Sequence, residues 1–205
     1  MTIRLNSWIL SPLYLIVRIL SRQPVGCENL PKDGAFIIAC NHVGYFDQYI
    51  MITPIVKTIS RHFYFLSKTG NYKIFEAVPI DTENPSRSLE NLGEVLKKGE
   101  VVAIFPEGKA NPKKELAKGK TGVARLALIN KVPVVPVGLD GPHGSTVKES
   151  FKDFFKGVSR AQIKVGKPIL FEKYYNQEIT KELLEIVTGD IMKEISRLSG
   201  KQYPY

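Results

Sequence analysis

The sequence predicts an α/β fold with a mostly parallel central sheet flanked by helices. Three observations predict it. Short apolar runs of strand length alternate with segments whose apolar residues recur at helical spacing. Some of those runs, such as residues 101–105, are apolar throughout, as strands covered on both faces are. Two runs end directly in polar residues with chemistry, at the strand ends where α/β folds gather their sites.

The elements follow in order. Residues 8–20 are strongly apolar but interrupted by Pro12 and Arg18. As helix they would span about 20 Å, against about 30 Å of hydrocarbon, so a membrane crossing is not expected. Arg4, Arg18 and Arg22 flank the stretch, and no acid precedes Glu28. An amphipathic helix in the membrane interface fits, with Trp8, Leu13, Tyr14 and Leu20 in the acyl boundary. A helix packed on its own domain fits equally. Residues 1–24 are therefore expected as an interfacial helical segment and 25–205 as one catalytic domain.

Residues 34–40 read as a buried strand behind the turn at 31–34, and 48–56 as a helix. Residues 63–66 and 77–80 read as short strands. Leu89, Leu92, Val95 and Leu96 give 86–97 a helical face that stops at Gly99. Residues 101–105 form a strand, 122–130 a helix, and 132–139 a strand whose prolines suit an edge or an irregular ladder. Residues 151–156 place three aromatics beside Lys148, Lys152, Lys156 and Arg160, and read as a core-facing helix, with a second membrane contact as the alternative. Residues 163–165 form the last strand. Thr180 caps a closing helix with the stripe Leu183, Leu184, Val187, Ile191, Ile195 and Leu198.

Composition narrows the function. The chain has 205 residues, 43% apolar and 24% charged, which excludes a disordered tail and a polytopic membrane protein. Lys and Arg number 29 against 20 Asp and Glu, a net charge of +9 that suits an anionic partner. No nucleic-acid motif appears, and the basic residues do not interleave with aromatics as a stacking platform, so no nucleic acid is expected. Two cysteines, Cys27 and Cys40, make no disulfide framework, and three histidines leave little room for a metal centre, so no metal is expected.

The first polar constellation is His42 and Asp47, five residues apart after a strand. On one helix they would point about 140° apart. Gly44 lets the chain turn, so that the carboxylate can fold back onto the imidazole. Such a pair fixes the ring tautomer and frees the other nitrogen to take a proton from a hydroxyl. No Ser or Cys nucleophile accompanies it. The plain alternative is that Asp47 only caps the next helix.

The second constellation is Phe105-Pro106-Glu107-Gly108-Lys109, again at a strand end. Glu107 needs a partner for its charge. Gly108 permits a tight turn with exposed N–H groups that suit an anion. A lysine-rich loop follows with Lys109, Lys113, Lys114, Lys118 and Lys120, of which Lys109 is the better ligand candidate. Gly119-Lys120-Thr121 is not a nucleotide phosphate loop, because Lys114 stands where the first glycine is required.

Taken together these segments resemble the glycerolipid acyltransferase family. Its Asn-His-x-x-x-x-Asp block is similar to Asn41-His42 through Asp47, its Phe-Pro-Glu-Gly block to 105–108, and its Val-Pro-x-x-Pro-Val block to 132–137. Residues 25–31 and 119–127 also look like this family, so the resemblance covers about residues 25–170. It implies a membrane-associated O-acyltransferase that moves a fatty acyl group from acyl-CoA or acyl-carrier protein to 1-acylglycerol-3-phosphate, forming phosphatidate, with no cofactor. His42 would be the general base and Asp47 its orienting partner. Glu107 and Gly108 would shape the acceptor site, and Lys109, Arg87, Lys118 and Gly119 are the further substrate-binding candidates. The implied partners are a lysophospholipid, the acyl donor and an anionic membrane surface at the cytoplasmic face.

Two departures stand out. The family continues Phe-Pro-Glu-Gly with Thr-Arg-Ser, where this chain has Lys109-Ala110-Asn111. The family's second block ends in arginine, where Ile80-Asp81 is followed by Thr82 and the nearest arginine is Arg87. A lysine supplies a point charge without the guanidinium fork. A different lysolipid or glycolipid acceptor, a hydrolase, and a non-catalytic lipid-binding domain are the alternatives.

Overall fold

A strand that is apolar at every position has no face to give to water. β1 (Phe36–Cys40) is such a strand, and all five of its residues are buried. The computed structural model of the chain describes residues 15–16, 19–61, 63–67, 77–79, 81 and 83–205. The other strands are β2 (Phe63–Ser67), β3 (Ala77–Pro79), β4 (Val101–Ile104), β5 (Val134–Asp140) and β6 (Gln162–Val165). They form one sheet in the order β3-β2-β4-β1-β5-β6. Every pairing is parallel except β5 with β6.

The helices are α1 (Asp47–Ile59), α2 (Pro85–Lys97), α3 (Gly122–Asn130), α4 (Val147–Lys152), α5 (Phe154–Val158) and α6 (Lys181–Ser199). Alternation along β1 divides the core in two. Phe36, Ile38 and Cys40 pack with Met51 and Ile55 of α1 and Phe154 and Val158 of α5. Ile37 and Ala39 pack with Leu92 and Leu96 of α2, Val123 and Ala127 of α3, and Val187 and Ile191 of α6. Each such large side chain contributes about 1.5–3 kcal/mol by leaving water.

The topology positions the site. α1 carries the chain from β1 past β4 to β2, on one face. α3 carries it from β4 past β1 to β5, on the other. The connections leaving the adjacent strands β1 and β4 therefore diverge, and a crevice opens beyond their carboxyl ends. This is the switch point at which open α/β sheets bind ligands.

Sequence cues place several ends. The Asn84 side chain accepts from Arg87 N–H ahead of Pro85, and α2 gives way to Gly99 at φ 82°. Thr180 Oγ1 accepts from Leu183 N–H at 3.2 Å, and α6 closes on Gly200 at φ 72° with its whole apolar stripe buried.

Two expectations are corrected. β5 is not an edge but an interior strand, between β1 and β6, and of the two expectations for its prolines the irregular ladder is the one found. Its proline is tolerated because Val134 N–H points to Ile169 O, away from β1, and two residues on Pro136 has its missing donor on that same side. There the neighbouring chain has left the ladder, and Gly166 N–H donates to Pro136 O at 2.8 Å instead. Residues 151–156 are not one core-facing helix. A break at Asp153 separates α4 from α5, which buries Phe154 and leaves Phe151 57% and Phe155 78% exposed.

Most of the expected interfacial segment 1–24 lies outside the described residues. Leu15, Ile16, Ile19 and Leu20 are helical and exposed. Arg22 N–H donates to Ala161 O, and Val25 pairs with β6, so the end of that segment is already tied to the sheet edge. No helix among the described residues is long and apolar enough to cross a membrane.

Candidate active site

The site begins where β1 stops. Asn41, fully buried, takes the place of another rung of the sheet: its side chain donates to Leu139 O at 2.9 Å and accepts from Leu139 N–H at 2.7 Å. That clamp ties the end of β1 to β5 and fixes the direction in which His42 departs.

His42 Nδ1 lies 2.6 Å from Asp47 Oδ2. The same carboxylate accepts from Val43 N–H at 2.7 Å and from Gly44 N–H at 3.1 Å. Asp47 is thus turned backward onto the loop before it, although it opens α1. The turn requires glycine at position 44, since a Cβ there would stand 2.2 Å from Pro142 O. Asp47 is 0% exposed, while the His42 side chain keeps 21%. Burial pushes the Asp47 carboxyl above its ordinary value, and the hydrogen bonds from His42, Gly44 and Val43 offset part of that rise. The His42 ring stacks on Phe105 at 4.3 Å between centroids. Its Nε2 has no hydrogen-bond partner among the described residues.

Glu107, at the carboxyl end of β4, is buried and works inward. Oε1 accepts from His42 N–H at 3.0 Å; Oε2 accepts from the Asn111 amide at 2.6 Å and from Ala117 N–H at 2.8 Å. Asn111 N–H donates in turn to His42 O at 2.6 Å. The carboxylate therefore joins the two strand-end loops and holds the main chain of His42. Cys40 is fully buried, and burial with the nearby carboxylates of Asp47 and Glu107 pushes its thiol well up, so it supplies no thiolate.

Around this centre lies the cationic rim. Gly108 turns at φ 73°, and the Lys120 side chain covers it. Lys109, Lys118 and Lys120 are exposed. Gly119 packs instead against Thr188 and Met192 of α6, where a Cβ would clash. Arg87 is exposed on the first turn of α2, at the carboxyl end of the sheet, with no side-chain hydrogen bond or ion pair among the described residues. His42 and Asp47 are thus brought together, Glu107 sits directly beneath them, and Gly108 and Lys109 turn beside them. The sequence reading had no role for Asn41, although it stands in the Asn-His pair. It also missed Asn111 and Lys201, whose partners are set only by the tertiary fold.

A carboxylate that orients an imidazole, with the far nitrogen open in a crevice, defines a site for drawing a proton from a hydroxyl. Comparison with known proteins narrows that class. The family model described as Acyltransferase matches residues 22–140, and the chain belongs to that family. It is 33% identical over 184 residues to the 1-acyl-sn-glycerol-3-phosphate acyltransferase of Bacillus subtilis, covering 85% of this chain and 86% of that one. It is 25% identical over 179 residues to a probable enzyme of the same name from Mycoplasma pneumoniae, covering 82% of this chain and 65% of that one. A chloroplastic relative from Brassica napus is 31% identical over 129 residues, and the chain spans only 36% of it. The crystal structure of the 1-acyl-sn-glycerophosphate acyltransferase PlsC from Thermotoga maritima shares the fold, with a TM-score of 0.59 at 20% identity over 97% of this chain and 85% of that one. The protein is an acyltransferase.

Proposed function

We propose that this acyltransferase carries a fatty acyl group from acyl-CoA or acyl-carrier protein to the hydroxyl of 1-acylglycerol-3-phosphate, forming phosphatidate for phospholipid synthesis. The observation that carries the reading is the 2.6 Å contact between His42 Nδ1 and a buried Asp47, which leaves Nε2 as a base facing the crevice. The names of the relatives support the acceptor.

In this mechanism Asp47 holds the proton on Nδ1, and Nε2 accepts the proton of the acceptor hydroxyl. The oxygen attacks the thioester carbonyl, the tetrahedral adduct expels the thiolate, and the imidazolium returns its proton to sulfur. Buried Asp47 stabilises the imidazolium in between. No resident cofactor is needed. Lys109, Lys118 and Lys120 offer positive charge for the acceptor phosphate beside Gly108. We place the enzyme at the cytoplasmic face of the cell membrane, as a peripheral or monotopic protein, on the strength of its +9 charge and the exposed apolar residues at 15, 16, 19 and 20.

A second reading keeps the chemistry and changes the acceptor, because Ala110 stands where the family carries arginine and the neighbouring Lys109 offers a point charge without the guanidinium fork. Thiol release from acyl-CoA, measured with a panel of lysolipids, separates the two. Release dependent on 1-acylglycerol-3-phosphate is the expected result. Release dependent on another lysolipid supports the second reading, and release without any acceptor contradicts both. A silent panel is repeated with acyl-carrier-protein donors, and silence there too rejects acyl transfer by this site.

A further inference from the structure

The last residues of the chain return to the site. After Gly200 ends α6, Gln202 pairs in parallel with Glu115, with Leu116 N–H donating to Gln202 O at 2.8 Å and Gln202 N–H to Lys114 O at 3.2 Å. The Lys201 ammonium donates to Lys113 O at 2.7 Å and Asn111 O at 3.0 Å. Ser196 Oγ donates to Lys201 O, which anchors the tail to its own helix.

Asn111 is the member of this set that touches the catalytic loop. Its N–H reaches His42 O and its amide reaches Glu107, which holds His42 N–H. The main chain of His42 is thus gripped at both its N–H and its C=O by the loop that Lys201 ties down. Glu107 is buried on neutral donors, with no ion pair among the described residues. A buried carboxylate without a cation is costly. Lys201 supplies one nearby: burial lowers its own proton affinity, while the carboxylates of Glu107, Asp140 and Asp47 act in the opposite direction.

We propose that Lys201 is a positioning residue for catalysis, whose ammonium pins the Asn111 and Lys113 carbonyls and through Asn111 and Glu107 sets the placement of the His42 imidazole. The inference rests on His42 as the base. The tail is therefore part of the site's scaffold rather than a loose end, 159 positions from the residue it serves.

The test compares Lys201→Met and Lys201→Arg with the parent and with His42→Ala, in the full chain. It measures acyl transfer from acyl-CoA to 1-acylglycerol-3-phosphate, melting temperature, and the 15N-resolved ring resonances of His42. Lys201→Met is expected to lose about tenfold to a hundredfold in kcat with KM values within about twofold, and to shift or broaden the Nδ1–H resonance. Lys201→Arg, which can still donate to two carbonyls, is expected to recover most of both. A methionine variant with unchanged kcat and ring resonances overturns the proposal, as does a loss confined to KM or one that arginine does not rescue. If the methionine variant melts below the assay temperature, Lys201→Gln, which keeps a donor without the charge, takes its place under the same criteria. Turnover surviving in His42→Ala overturns the reading of the base instead. The ring resonances then still report whether Lys201 places His42.

Discussion

At the scale of single residues the site is an arrangement of donors around two buried carboxylates. Asp47 receives His42, Val43 and Gly44; Glu107 receives His42, Asn111 and Ala117. Because burial raises the Asp47 carboxyl, its ionisation costs stability as pH rises through the carboxylate range. Asp47→Asn removes that cost. Its carbonyl can accept from Val43 and Gly44, but its amide donates to Nδ1 and drives the ring proton onto Nε2. Turnover is expected to fall about 10²- to 10⁴-fold with no more than a small loss in melting temperature. A variant of near-parent activity would contradict the orienting role. Asn41→Ala leaves the Leu139 N–H and C=O unpaired in the core and is expected to cost about 3 kcal/mol in chemical unfolding. The His–Asp pair was legible because Gly44 allows the turn between its members and the resemblance of Asn41-His42 through Asp47 to the family block selects that reading over a plain helix cap. Asn111 and Lys201 were not, since nothing local to either position records a partner on another element.

At the scale of elements, the helices after β1 and β4 divide to opposite faces and open the crevice, and the loop after β5 closes it from the side. Gly44 shows how tight that closure is. With Pro142 O at 2.2 Å from any Cβ, Gly44→Ala must displace the 142–144 loop or the turn that carries Asp47. It is expected to lower both melting temperature and kcat, and unchanged values would contradict the packing. The β5 loop has its own brace, in which Arg160 bridges Asp140 and Asp153 and His143 Nε2 meets Asp140 at 3.0 Å. For both carboxylates burial raises the pKa, but the hydrogen bonds and charge of these partners outweigh it and hold them below the ordinary value. Their contribution to stability is fully present above the unfolded carboxylate range and is lost as pH falls through the lowered folded values. Arg160→Ala is expected to narrow the gap between acid and neutral melting temperatures; an unaltered pH dependence would contradict this brace. Strand and helix identities were legible from periodicity alone. The place of β5 was not, because a proline's tolerance depends on which neighbour its missing N–H faces. The break at Asp153 was also hidden, since Phe151, Phe154 and Phe155 fit one helical face until the turn between them is known.

At the scale of the whole molecule, a +9 chain presents exposed Phe151 and Phe155 among Lys148, Lys152 and Lys156, on the side of the His42 loop where Phe46 touches Phe151 at 4.9 Å. Aromatics enter the lipid interface while lysines meet anionic headgroups. Binding to vesicles containing anionic lipid is expected to weaken with added salt and to fall severalfold in the Phe151→Ala, Phe155→Ala double variant. Unchanged partitioning would remove this face from the membrane contact. The fold class and the contact between His42 and Asp47 were therefore readable before any coordinates, whereas the exposure of Phe151 and Phe155 depended on which aromatics the core left out. The central claim remains a single proton transfer at His42 Nε2. Steady-state acyl transfer to 1-acylglycerol-3-phosphate by His42→Ala, in protein whose melting temperature stays within a few degrees of the parent, tests it most directly. Loss of at least about a thousandfold in kcat is the expected result. Turnover within about tenfold of the parent, in that same folded protein, would contradict it.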